Sequence, residues 1–79
     1  MKIAIEVETV RYQGRPSALL NIELDREGLG ELIRNLQSLA TESDHFHMFS
    51  ESYGGSDLYE GKTTKPSAAR VDQITIGLC

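Results

Sequence analysis

Residues 2–24, KIAIEVETVRYQGRPSALLNIEL, decide the fold. Ile3, Ile5 and Val7 point one way, and Ala4, Glu6 and Glu8 the other. A period of two marks a half-buried strand. RYQGRP (11–16) then supplies a turn, with Gly14 free to take positive φ and Pro16 ending the pairing. SALLNIEL (17–24) alternates again, with Leu20, Ile22 and Leu24 inward and Asn21 and Glu23 outward. The two runs predict an antiparallel hairpin.

Working outward, Asp25 reads as a helix N-cap, with Glu27 and Glu31 where the helix dipole favours acid. Leu29, Leu32, Ile33, Leu36 and Leu39 recur at helical spacing, so one stripe is expected to face the sheet. Gly28 and Gly30 each weaken the first turns by about 1 kcal/mol relative to Ala. ATESD (40–44) ends the helix. HFHMF (45–49) is a third strand, with Phe46 and Met48 on one face and His45, His47 and Phe49 on the other. A connection over 50–69 leads to VDQITIGL (71–78), a last strand with Ile74, Ile76 and Leu78 inward.

The order is ββαββ over one small α+β domain, 1–79. The expected architecture is a four-stranded antiparallel sheet, order 2-1-3-4, with one helix packed on one face. The other face is left open. By alternation it carries Glu6, Glu8, Leu19, Asn21, Glu23, His45, His47, Phe49, Val71, Gln73 and Thr75.

Composition bounds the function. A chain of 79 residues buries only about 60% of its unfolded surface, so a second copy or a partner would add to a modest core. No apolar run approaches the ~20 residues of a membrane span. MKIAIEVETV does not read as a signal peptide. Cys79 is the one cysteine, and a single thiol forms no internal disulfide; the cytoplasm is the expected location. The net charge of −4 is concentrated: residues 35–60 hold five acids and no Lys or Arg. That segment disfavours nucleic acid and anionic membrane and favours a basic protein surface.

DHFHMFSESYGGSDLYE (44–60) holds the candidate chemistry. His45 and His47 share a strand face and could chelate a metal, with Glu8, Glu23 or Glu51 as third ligand. No second His or Cys cluster completes a set, so no cofactor is expected. Ser50, Ser52 and Ser56 lie near the histidines, but no G-x-S-x-G elbow frames a nucleophile, and an enzyme is not expected. Gly54-Gly55-Ser56 lacks the Lys of a phosphate loop and reads as a tight turn. A connection of about 20 residues in so small a domain is usually functional or disordered. This one carries Tyr53 and Tyr59 among acids, and tyrosines suit interfaces.

With a helix like GLGELIRNLQSLA before it and a strand like VDQITIGL after it, this stretch resembles the immunity protein 32 family of bacterial polymorphic toxin systems. The shared pattern is Asp-His-x-His-apolar, an aromatic-Gly-Gly and an acid-Leu pair. Here it falls on Asp44, His45, His47, Met48, Tyr53, Gly54, Gly55, Asp57 and Leu58. The resemblance implies a small α+β cytoplasmic protein that binds and neutralises a cognate toxin without catalysis. The expected docking residues are Asp44, His45, His47, Glu51, Tyr53, Gly54, Gly55, Asp57 and Tyr59. Two alternatives stay open: a metal- or ligand-binding module using His45 and His47, and a homodimer joined through the open sheet face.

Overall fold

The computed structural model describes residues 1–79. Strands β1 (Ile3–Tyr12) and β2 (Arg15–Leu24) form the expected hairpin, longer than its pattern suggests. The ladder runs without a gap from Ile3↔Leu24 to Tyr12↔Arg15. Only Gln13 and Gly14 form the turn, with φ of 51° and 79°. Two left-handed residues make a turn whose twist matches that of the flanking strands, so pairing continues to its edge. Pro16 does not end the ladder. It sits opposite Arg11, one position past the turn-closing pair, where an antiparallel ladder asks for no N–H from it.

Helix α1 (Arg26–Thr41) begins as expected, with the Asp25 carboxylate accepting from the Gly28 N–H at 2.6 Å. Gly28 has a packing role beyond its cost in propensity. It is buried, and a Cβ there would collide with the carbonyl of Lys2. The first turn thus rests directly on the start of β1. The helix ends just before β3 (His45–Phe49), whose boundaries match the sequence reading.

The single four-stranded sheet in order 2-1-3-4 is not formed. The expected last strand, 71–78, is observed as β5 (Gln73–Gly77), and a further strand, β4 (Ala68–Arg70), forms at the end of the expected connection, giving a three-stranded sheet β2-β1-β4 and a two-stranded sheet β3-β5. β4 pairs antiparallel with β1, Glu8↔Ala68 to Glu6↔Arg70, and β5 pairs antiparallel with β3, Phe49↔Gln73 to His45↔Gly77. Val71 and Asp72 make the transfer: Val71 N–H donates to Ile5 O, and Asp72 O accepts from Ser50 N–H. β3 therefore never pairs with β1, because the C-terminal segment lies between them. The two ladders are offset lengthwise, and the molecule measures 43 × 29 × 23 Å.

This offset decides the core. Ile3, Ile5, Met48 and Leu58 are its buried centre, with Leu24, Leu32, Phe46, Val71 and Ile74 packed around it. Phe46 and Met48 face inward as expected. Val71, expected on the open face, packs inward. α1 rests on the start of β1 and packs Leu32 against the core, while Leu20 and Ile22 of β2 stay outside its cover. Of its apolar stripe, Leu39 is buried and Leu32 partly so; Leu29, Ile33 and Leu36 stay 44–47% exposed. Leu20, Ile22 and Leu78, expected inward, are 61, 50 and 60% exposed.

Candidate functional site: the histidine strand and the acidic loop

The candidate residues lie on β3 and on the chain that flanks it at either end. His45 and His47 are exposed, with ring centroids 5.1 Å apart, edge to face. Phe49 follows on the same face, 5.7 Å from the His47 ring. Each imidazole is oriented by a neighbour: His45 Nδ1 lies 2.7 Å from Asp44 Oδ1, and His47 Nδ1 2.7 Å from Thr75 Oγ1 on β5. The hydrogen bond and the charge of His45 hold the Asp44 carboxyl below its usual range. Nowhere do three His, Cys, Asp or Glu side chains converge as a metal-ligand group. Glu8, one expected third ligand, is bonded elsewhere.

Beyond Phe49 the chain folds back on itself. A single 3₁₀ turn, Glu51–Tyr53, is closed by Gly54 in the left-handed region at φ 91°. The Gly55 N–H donates to Ser50 O, and a Cβ on Gly55 would lie 2.6 Å from Phe49 Cβ and O. Asp57 answers both sides of the Phe49 peptide. Its carboxylate accepts from the Phe49 N–H at 3.2 Å, and its own N–H donates to Phe49 O at 2.9 Å. The Glu60 carboxylate accepts from the backbone N–H and hydroxyl of Ser52. The backbone bond from Ser52 first, then the hydroxyls of Ser50 and Ser52, lower the Glu60 pKa. The Tyr-Gly-Gly turn is thus fixed by its own acids, and it presents Tyr53 at 60% exposure.

Tyr59 has a different setting. Two cations lie over its ring, Lys2 Nζ at 4.9 Å from the centroid and the Arg70 guanidinium at 5.0 Å. Both come from outside the acidic segment that carries this tyrosine. Sequence reading missed both, since residues 2 and 70 are remote along the chain.

The remaining connection corrects the open-face assignment of Glu6 and Glu8. Both are buried, at 2 and 8% exposure. Glu6 accepts from the N–H and hydroxyl of Thr64, and Glu8 accepts from Ser67 Oγ and Lys65 Nζ. The Ser67 bond is the main cause of a lowered Glu8 pKa. Residues 59–67 are laid across β1 and held by these two carboxylates. Leu19, Asn21, Glu23, Gln73 and Thr75 remain exposed, as expected. The one available signal for the covering was the length of the connection.

Comparison with protein-family models, curated proteins and solved structures finds no match to the chain. The resemblance to the immunity protein 32 family rests on the quoted residues alone.

Proposed function

We propose that the chain is a non-catalytic, cytoplasmic immunity protein that neutralises a cognate bacterial toxin by binding it. The supporting observation is the fixed acidic turn at residues 50–60, which holds Tyr53 outward and follows the strand that exposes His45 and His47. A surface ordered before binding loses less entropy on docking. An exposed tyrosine on such a surface is a suitable anchor. The acids divide by role. Asp57 and Glu60 hold the turn and Asp44 holds His45, whereas the Glu42 and Glu51 side chains take no part in those bonds. The free acids suit a basic toxin surface, where rim charge governs association more than dissociation.

The test is surface plasmon resonance against the product of an adjacent toxin-like gene, with a co-expression rescue assay. Binding and rescue are expected, with Glu51→Lys slowing association and reducing its salt dependence. Binding indifferent to Glu51→Lys and Tyr53→Ala, yet abolished by Thr75→Arg, would move the interface to the sheet face. Absence of both binding and rescue would refute the proposal.

A further inference from the structure

We infer that two copies of this chain associate through the free edge of β2, antiparallel about a twofold axis near Leu20. This surface is distinct from the histidine strand and the acidic loop. β2 is paired on one side only, by β1. It is ten residues long, which is long for an unprotected edge. Protected edges carry lysines, central prolines, bulges or a covering loop. β2 has no lysine and no bulge, its proline lies at the turn end, and Ala18–Ile22 is uncharged.

The geometry selects a second copy. The Tyr12↔Arg15 pair closes a two-residue turn, so its residues exchange hydrogen bonds within the hairpin. Alternate residues from there, Pro16, Ala18, Leu20, Ile22 and Leu24, direct their backbone groups to the free edge. Leu20 is the middle of that set. Pairing centred on it opposes Leu20 to itself, Ala18 to Ile22 of the second copy, and Pro16 to Leu24. The proline, with no N–H, falls at the ladder's end. On the other face Glu23 meets Ser17 and Arg15 meets Asp25, so no like charges oppose each other.

The apolar area fits the same occupant. Leu20 and Ile22 lie on the face that α1 touches at Ile3, and Leu29, Ile33 and Leu36 are exposed on that helix. The Leu20 and Ile22 side chains stand beside the edge at 61 and 50% exposure, so a strand added there also takes apolar surface out of water. The strand edge adds a ladder of about 30 Å.

Sedimentation equilibrium across a concentration series tests this on the purified chain. A species of twice 8.8 kDa is expected. Leu20→Lys opposes two ammonium groups at the axis and should weaken association about tenfold or more. Ala18→Pro removes only an edge-directed N–H, so the hairpin should survive, confirmed by circular dichroism, while the dimer is lost. Leu20→Cys in a Cys79→Ser background should oxidise to a linked dimer, because hydrogen-bonded pairs sit ~5.5 Å apart at Cα, within disulfide reach. A Ser52→Cys control should not. A chain monomeric at every concentration overturns the inference. So does a dimer that survives both edge variants, or equal linking at Leu20 and Ser52. If the chain alone stays monomeric but Leu20→Lys abolishes toxin binding, the edge serves the toxin and the inference is also overturned.

Discussion

β1 and β2 are equal in length, paired residue for residue and similarly alternating, yet they lie in opposite environments. β1 buries Ile3, Ala4, Ile5, Glu6 and Glu8; β2 buries no residue. Ile5 and Ile22 are register partners on one face, at 2 and 50% exposure. The difference is coverage. β1 has β4 along its second edge, Met48 and Leu58 against one face, and residues 59–67 across the other. β2 has β1 alone. Alternation reports which side chains share a face, and what covers that face is decided elsewhere in the chain.

The largest expected effect breaks this pair apart. Ile5→Ala should cost about 2–5 kcal/mol, since it leaves a cavity in a packed centre. Ile22→Ala, measured at a dilution where copies dissociate, should cost about 1 kcal/mol or less. Urea denaturation of the two variants checks the contrast. Equal losses would mean that β2 is covered in the isolated chain.

The two helix glycines sharpen the comparison through opposite signs. A Cβ at Gly28 meets the Lys2 carbonyl and Ile3 Cγ1, whereas at Gly30 its nearest neighbour is the flexible Arg34 guanidinium at 3.6 Å. Gly28→Ala should destabilise by about 1–3 kcal/mol through overpacking. Gly30→Ala should stabilise by up to about 1 kcal/mol through helix propensity. The pair measures how firmly α1 is pressed onto β1.

The outer face of β1 responds to acid. Glu8 has its pKa lowered from the ordinary 4.5, chiefly by the Ser67 hydroxyl. A lowered value in the folded state means that its stabilising contribution is present above 4.5 and is lost as pH falls through the folded value. An NMR titration of the Glu8 carboxyl should show its midpoint below 4.5. Removing the anchors by Glu6→Ala and Glu8→Ala together should speed tryptic cleavage after Lys62 at neutral pH. An unchanged cleavage rate would mean that residues 59–67 do not depend on these carboxylates.

Local signals in the sequence proved strong. The hairpin, the Asp25 cap, the extent of β3 and the inward Phe46 and Met48 follow from periodicity and capping chemistry. The strand order does not, because Ala68–Gly77 divides its pairing between β1 and β3, and no residue pattern announces a transfer at Val71 and Asp72. The helix stripe was legible as a stripe, but its exposure depends on that offset. At the candidate site, the tight Tyr-Gly-Gly turn was legible from its glycines. The setting of Tyr59 beside Lys2 and Arg70 was not, since it joins three distant segments.

The two tyrosines carry the comparison to the smallest scale. Tyr53 is 60% exposed on a turn that other residues fix, so Tyr53→Ala should change folding stability by no more than about 0.5 kcal/mol. Tyr59 has two cations over its ring, and each such contact at an exposed site is worth about 0.5–1 kcal/mol, so Tyr59→Ala should cost about 1–2 kcal/mol. If the chain binds a toxin as proposed, the order should reverse toward that partner. An anchor free to leave solvent governs dissociation, and Tyr53→Ala should speed it by a factor worth about 2 kcal/mol. The Tyr59 ring is already engaged, so its loss should act on binding only through the loop. Thermal denaturation and surface plasmon resonance on the same two variants give all four numbers. If Tyr59→Ala leaves stability unchanged but speeds dissociation more than Tyr53→Ala, the roles of the two residues are exchanged, and the docking surface lies over Lys2 and Arg70 rather than at the Tyr-Gly-Gly turn.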